Sequence, residues 1–212
     1  MLEYVLLVGD WNGTYSVPTY TVMSYNEGEL DVTDYTYTFI DNFDEPRFFS
    51  GRWPVRSTGD LLSLKSKTIQ YTRMDNLDGE YLDDALLVAG NFKDGQNVEP
   101  WDWPVTPVWT SLWLYDELEE YGFYNIDTAF YHAENWENGS NNPVIANSWN
   151  DGVGVINYRG WGDANGWHKP LFHREDAENL NNSWRQPVVM SFVCNTGDFG
   201  NDYDGTGLDK CF

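Results

Sequence analysis

Basic residues are scarce in this 212-residue chain: twelve Lys and Arg stand against thirty-four Asp and Glu, a formal net charge of −22. A surface of that sign repels phosphate backbones and carries no basic patch, which excludes nucleic acid as a partner. Cysteine is almost absent, and the two residues present, Cys194 and Cys211, cannot make a disulfide framework. No apolar run approaches the about 18 residues that a bilayer span requires, so no membrane crossing is expected. Met1-Leu2-Glu3 leads directly into an apolar strand pattern, without the charged, apolar and small-residue zones of an export signal. There is no HExxH and no paired CxxC, which removes the common signatures of zinc chemistry. The three histidines, His132, His168 and His173, leave imidazole chemistry few places to reside.

What is present is a core. Hydrophobic residues make up 41% of the chain, too much for disorder. Short, near-continuous apolar runs read as buried strands of a parallel sheet at Tyr4–Val8, Ala85–Ala89, Val153–Ile156 and Val188–Val193, with weaker candidates at Phe48–Trp53 and Ile126–Tyr131. Between them, helical spacing runs from Thr58, as N-cap, to about Met74, and from about Val108 to Tyr121, with Gly122 as the stop. Further helices are expected from Pro143 to Asn150 and from Glu175 to Asn181. This alternation predicts an α/β fold, mainly a parallel sheet flanked by helices. A hairpin is expected around Tyr35–Ile40 inside the long polar stretch 10–46, and a second long polar stretch covers 91–107. Asp202 and Asp204, ahead of Gly205, have a spacing that calcium loops use, although the downstream Glu of an EF-hand is missing and a solvated loop is the plainer reading.

In parallel sheets reactive groups gather at the carboxyl ends of strands. Two strands here run into unusual loops: Val155–Tyr158 into Arg159-Gly160-Trp161-Gly162-Asp163, and Met190–Val193 into Cys194-Asn195-Thr196-Gly197. A cysteine presented at such an edge lies where backbone N–H groups can hold an oxyanion and a base can generate thiolate. The same cysteine as an inert core residue is the competing reading.

Both loops resemble the gingipain family of cysteine peptidases. INYRGWG resembles that family's strand ending in Tyr-x-Gly-His-Gly, and SFVCNTGDF its Ala-Cys-x-Asn-Gly-Asp-Phe; YVLLVGD, SGRWPVRS with its following helix, and the Tyr121-Gly122-Phe123 turn add to the likeness. The resemblance implies a caspase-like α/β fold, a thiol-dependent endopeptidase acting on polypeptide without a required cofactor, a secreted or cell-surface location, and possible structural calcium. It also implies that residues 1–212 are a peptidase-domain fragment, truncated at both ends, with further domains in the same longer chain. Cys194 takes the nucleophile position. The family histidine falls on Trp161, between Gly160 and Gly162, and an indole cannot exchange protons usefully. An acid that orients that histidine would fall near Asn91 or Phe92, with Asp94 close by.

His168 is the expected replacement acid/base, with Asp163 to orient it and Asn195 contributing to the site loop. The alternative is an inactive module binding peptide or glycan through Trp161, Trp167, Trp101, Trp103 and Trp109. The acid that selects basic residues in arginine-specific members falls on Pro107, with Asp102 upstream. Trp101-Asp102-Trp103-Pro104 is instead expected to suit a bulky or apolar partner.

Overall fold

The computed structural model describes residues 2–23, 30–40, 45–75, 78–90, 106–131, 143–200 and 212. They form two compact units, Met1–Ile69 with Asp198–Lys210, and Gln70–Gly197 with Cys211–Phe212.

The first unit contains β1 (Tyr4–Val8), the antiparallel pair β2 (Tyr20–Met23) and β3 (Leu30–Thr33), and β4 (Phe49–Trp53). β1 and β4 run parallel from Tyr4 opposite Phe49 to Val8 opposite Trp53. The buried Arg52 guanidinium fastens this unit. It donates two bonds to Asp34, at 2.6 and 2.7 Å, and others to the Gly9 and Val17 carbonyls at 2.7 and 3.1 Å. This planar fork satisfies a carboxylate and two loop carbonyls at once. The expected hairpin lies earlier than Tyr35–Ile40, since Tyr35–Thr38 is a short 3-10 helix. Its hydroxyls explain the difference: Tyr35 N–H donates to Thr33 Oγ1 at 3.2 Å, and Thr38 Oγ1 donates to the Tyr35 carbonyl at 2.7 Å. Such local bonds draw the backbone away from a ladder.

Helix α1 (Thr58–Arg73) follows β4. Its start is fixed by a reciprocal capping box in which Ser57 N–H donates to Asp60 Oδ2 at 2.9 Å and Asp60 N–H to Ser57 Oγ at 3.1 Å. Ser57 rather than Thr58 is thus the cap.

In the second unit, β5 (Asp84–Gly90), α2 (Pro107–Glu120), β6 (Asn125–Tyr131), α3 (Pro143–Asp151) and β7 (Val155–Arg159) build the main sheet and its helices. Three short strands then follow, β8 (Gly162–Asp163), β9 (Gly166–His168) and β10 (Leu171–His173), with α4 (Arg174–Glu178) and β11 (Val188–Phe192). The sheet order is β11-β7-β5-β6, with every pairing parallel. Ala85–Gly90 is buried throughout, as a central strand covered on both faces must be. Leu86, Val88, Ile145, Ile156, Tyr158, Trp167 and Phe172 form the core, with Trp149 and Phe212 packed against it.

α2 is capped by Thr106, whose Oγ1 accepts from Trp109 N–H at 3.3 Å, and Pro107 occupies the first turn, where a missing N–H costs nothing. All six sequence-predicted strands and all four helices are present, the fourth helix shorter than expected at Arg174–Glu178. One property differs. β11 borders a single described strand, with Val188, Val189, Met190 and Phe192 exposed, and β1 exposes Tyr4, Leu6 and Val8, so neither is the buried strand its apolar run suggested.

Candidate active site

The carboxyl end of β7 turns sharply at Gly160. A Cβ there would lie 2.5 Å from Tyr158 Oη, and only glycine leaves that hydroxyl its place. Tyr158 Oη donates to the Trp161 carbonyl at 2.7 Å, and burial pushes its phenol well above the ordinary range. His168 N–H donates to the same carbonyl at 2.9 Å. A Cβ on Gly162 would collide with the Gly166 carbonyl, so β8 and β9 can pair only with glycine at that position. The glycine-rich segment expected as a loop is therefore a three-stranded antiparallel sheet, and His168 lies on its central strand. Strands this short escape periodicity analysis, because two or three residues contain no repeat.

A chain of hydrogen bonds runs through this small sheet. Asp163 Oδ1 accepts from Asn165 N–H at 2.8 Å, and Asp163 Oδ2 lies 2.9 Å from His168 Nε2. His168 Nδ1 is 3.4 Å from His173 Nε2, and His173 Nδ1 is 2.9 Å from Asn165 Nδ2. An amide nitrogen can only donate, so His173 Nδ1 accepts, its Nε2–H faces His168 Nδ1, and His168 donates through Nε2 to Asp163. Arg174 Nε, donating to Asn165 Oδ1 at 3.2 Å, holds that amide in the required orientation. Burial depresses the His173 pKa and the neighbouring His168 depresses it further, with Asp163, Glu175 and Asp176 opposing. The Trp161 ring is 49% exposed and tilted over His168 at 5.2 Å between centroids. Trp167 is wholly buried, stacked on Tyr158 at 4.4 Å, and is unavailable to any aromatic binding platform.

Cys194 stands two residues beyond the end of β11 as an exposed free thiol. Thr196 N–H donates to the Cys194 carbonyl at 2.8 Å, folding the chain tightly about Asn195, which takes a φ of 57°. Ser191 Oγ lies 2.8 Å from Thr196 Oγ1 and accepts from Trp167 Nε1–H at 2.9 Å. Gly197 N–H donates to the Phe212 carbonyl at 3.1 Å. The Asn195 N–H has no hydrogen-bond partner among the described residues.

The structure thus brings Asp163, His168 and the Trp161 ring together on one small sheet, shaped by Gly160 and Gly162. It places Cys194 and Asn195 on the neighbouring turn, and among the described residues no hydrogen bond reaches the Cys194 thiol from His168 or any other group. Asn91, Phe92, Asp94, Trp101, Asp102, Trp103, His132, Asp202 and Asp204 lie outside the described residues. Sequence reasoning missed the Asn165–His173 link and the Trp167–Ser191–Thr196 link. A serine within an otherwise apolar Val-Val-Met-Ser-Phe strand was the available signal for the second.

Comparison with known proteins adds the family. The model of "Peptidase family C25" matches residues 1–212. Gingipain R2 of Porphyromonas gingivalis is 26% identical over 201 residues, covering 93% of this chain and 24% of the gingipain. Lys-gingipain of the same organism is 24% identical over 203 residues, covering 92% of this chain and 10% of its own length. The crystal structure of the Arg-specific cysteine proteinase gingipain R matches with a TM-score of 0.73 at 24% identity, over 95% of this chain and 42% of that one. The complex of RgpB pro- and mature domains matches at 0.74 and 24% identity, over 100% and 44%. The fold is the expected caspase-like α/β architecture, and the chain spans less than a quarter of the length of these curated relatives. With the match unbroken across residues 1–212, the chain belongs to peptidase family C25.

Proposed function

We propose that the chain carries the nucleophile-bearing part of a cysteine endopeptidase in which the Cys194 thiolate attacks the peptide carbonyl. One observation carries this reading: an exposed thiol on a tight turn at the carboxyl edge of a parallel sheet, beside an Asn195 N–H that has no hydrogen-bond partner among the described residues. That N–H is a donor for the oxyanion that forms as the thiolate adds. His168 takes the acid/base role that Trp161 cannot perform, with Asp163 orienting its ring. To reach the thiol, its Nδ1 must exchange His173 for Cys194. Polypeptide is the substrate, the location is secreted or cell-surface, and further domains belong to the longer chain. In a peptide-library assay, Cys194→Ala and His168→Ala each abolish cleavage; cleavage surviving the histidine change removes His168 from the mechanism.

Both ring nitrogens of His168 are occupied, by Asp163 and His173, and this favours a second reading as an inactive binding module. In that case the half-exposed Trp161 is the surface that contacts peptide or glycan. A thiol-directed affinity probe separates the two readings: labelling of Cys194 faster in the folded than in the denatured chain supports the peptidase, and labelling no faster than in the denatured chain supports the module. A structural calcium held by Asp202 and Asp204 belongs to the same proposal, and calcium is then expected to raise the melting temperature, with Asp204→Asn removing the effect.

A further inference from the structure

Trp167 and His168 are consecutive on β9, so their side chains leave opposite faces of that strand. The Trp167 indole goes wholly into the core, between Tyr158 on one side and Trp149 and Phe172 on others. Its only polar group, a donor with no acceptor capacity, reaches across to Ser191 Oγ at 2.9 Å. Ser191 is the half-buried residue of a strand whose other four side chains are exposed apolar groups. An apolar side chain there would cover the indole equally well. A hydroxyl does something different, because it accepts the indole N–H and engages Thr196 Oγ1 at 2.8 Å.

Thr196 is the residue that closes the turn about Asn195, through its N–H to the Cys194 carbonyl at 2.8 Å. Asn195 has a left-handed φ of 57°, a conformation that few residues besides glycine and asparagine adopt and that the surrounding bonds must hold in place. Here the Ser191 bridge and the Thr196 N–H supply that constraint.

We infer that Trp167, Ser191 and Thr196 form a positioning relay that aims Cys194 and holds its turn in fixed relation to the strand bearing His168. The inference rests on the peptidase reading above. The three residues touch no reacting atom and act through the geometry of the turn. Displacement of a reacting group by about 1 Å costs on the order of a hundredfold in rate, so a single hydroxyl bridge is enough to govern reactivity.

The test uses the chain carrying Cys211→Ser, so that Cys194 is its single thiol, and measures the rate of its alkylation by iodoacetamide at one fixed pH. Ser191→Ala and Thr196→Val are each expected to slow alkylation about tenfold or more. Ser191→Thr, which keeps the hydroxyl, is expected to restore the rate. If Ser191→Ala fails to fold, Thr196→Val decides, because it leaves Trp167 its acceptor. A reactive parent thiol with an unmoved rate in Thr196→Val overturns the relay alone. A parent thiol that reacts no faster than the denatured chain overturns the peptidase reading, and the relay with it.

Discussion

His173 illustrates how burial at one residue becomes a property of the protein. Its pKa is depressed below the ordinary 6.5 by burial first and by His168 second. The folded state therefore binds its proton less readily than the unfolded chain does. The resulting stability is fully present above 6.5 and is lost as pH falls from there through the depressed folded value. Urea unfolding between pH 5 and 8 is expected to show this acid-side loss, and His173→Gln to flatten it; an unchanged slope would remove His173 as its source. Gly160 makes a steric rather than an electrostatic prediction. Its missing Cβ leaves room for Tyr158 Oη, and Tyr158 is itself pinned against Trp167, so Gly160→Ala is expected to cost about 1–3 kcal/mol in denaturant unfolding.

At the scale of elements, β5 and β11 look alike as strings of apolar residues and differ in what surrounds them. β5 has strands on both sides and buries Ala85–Gly90, whereas among the described residues β11 pairs with β7 alone and leaves four side chains open. Composition reports apolarity, and neighbours decide burial. Leu86→Ala is accordingly expected to destabilise by about 2–5 kcal/mol, while Val189→Ala costs well under half as much, as paired unfolding curves will show. The six parallel strands were legible because each occupies a run long enough to display its pattern. The β8–β10 sheet was not, and with it went the true surroundings of His168. Cys194 was legible from its strand-end setting and its resemblance. The bonds around Ser191 and Thr196 were not, since they join residues five apart through a turn whose shape local propensity does not specify.

Across the whole molecule, a net charge of −22 on 212 residues makes self-repulsion a standing cost to the compact state. The aromatic cluster of Tyr158, Trp167, Trp149, Phe172 and Phe212 works against that cost, joining β7, β9, α3 and β10 to the last residue of the chain. The buried Trp167 N–H in that cluster also gives the molecule a built-in gauge. Eleven tryptophans blur into one fluorescence band. Each indole proton, however, has its own nuclear resonance, and the Trp167 proton is shielded and held by Ser191. It should be among the last to trade with deuterium, so its disappearance times the opening of the turn beneath Cys194 without any substrate or label.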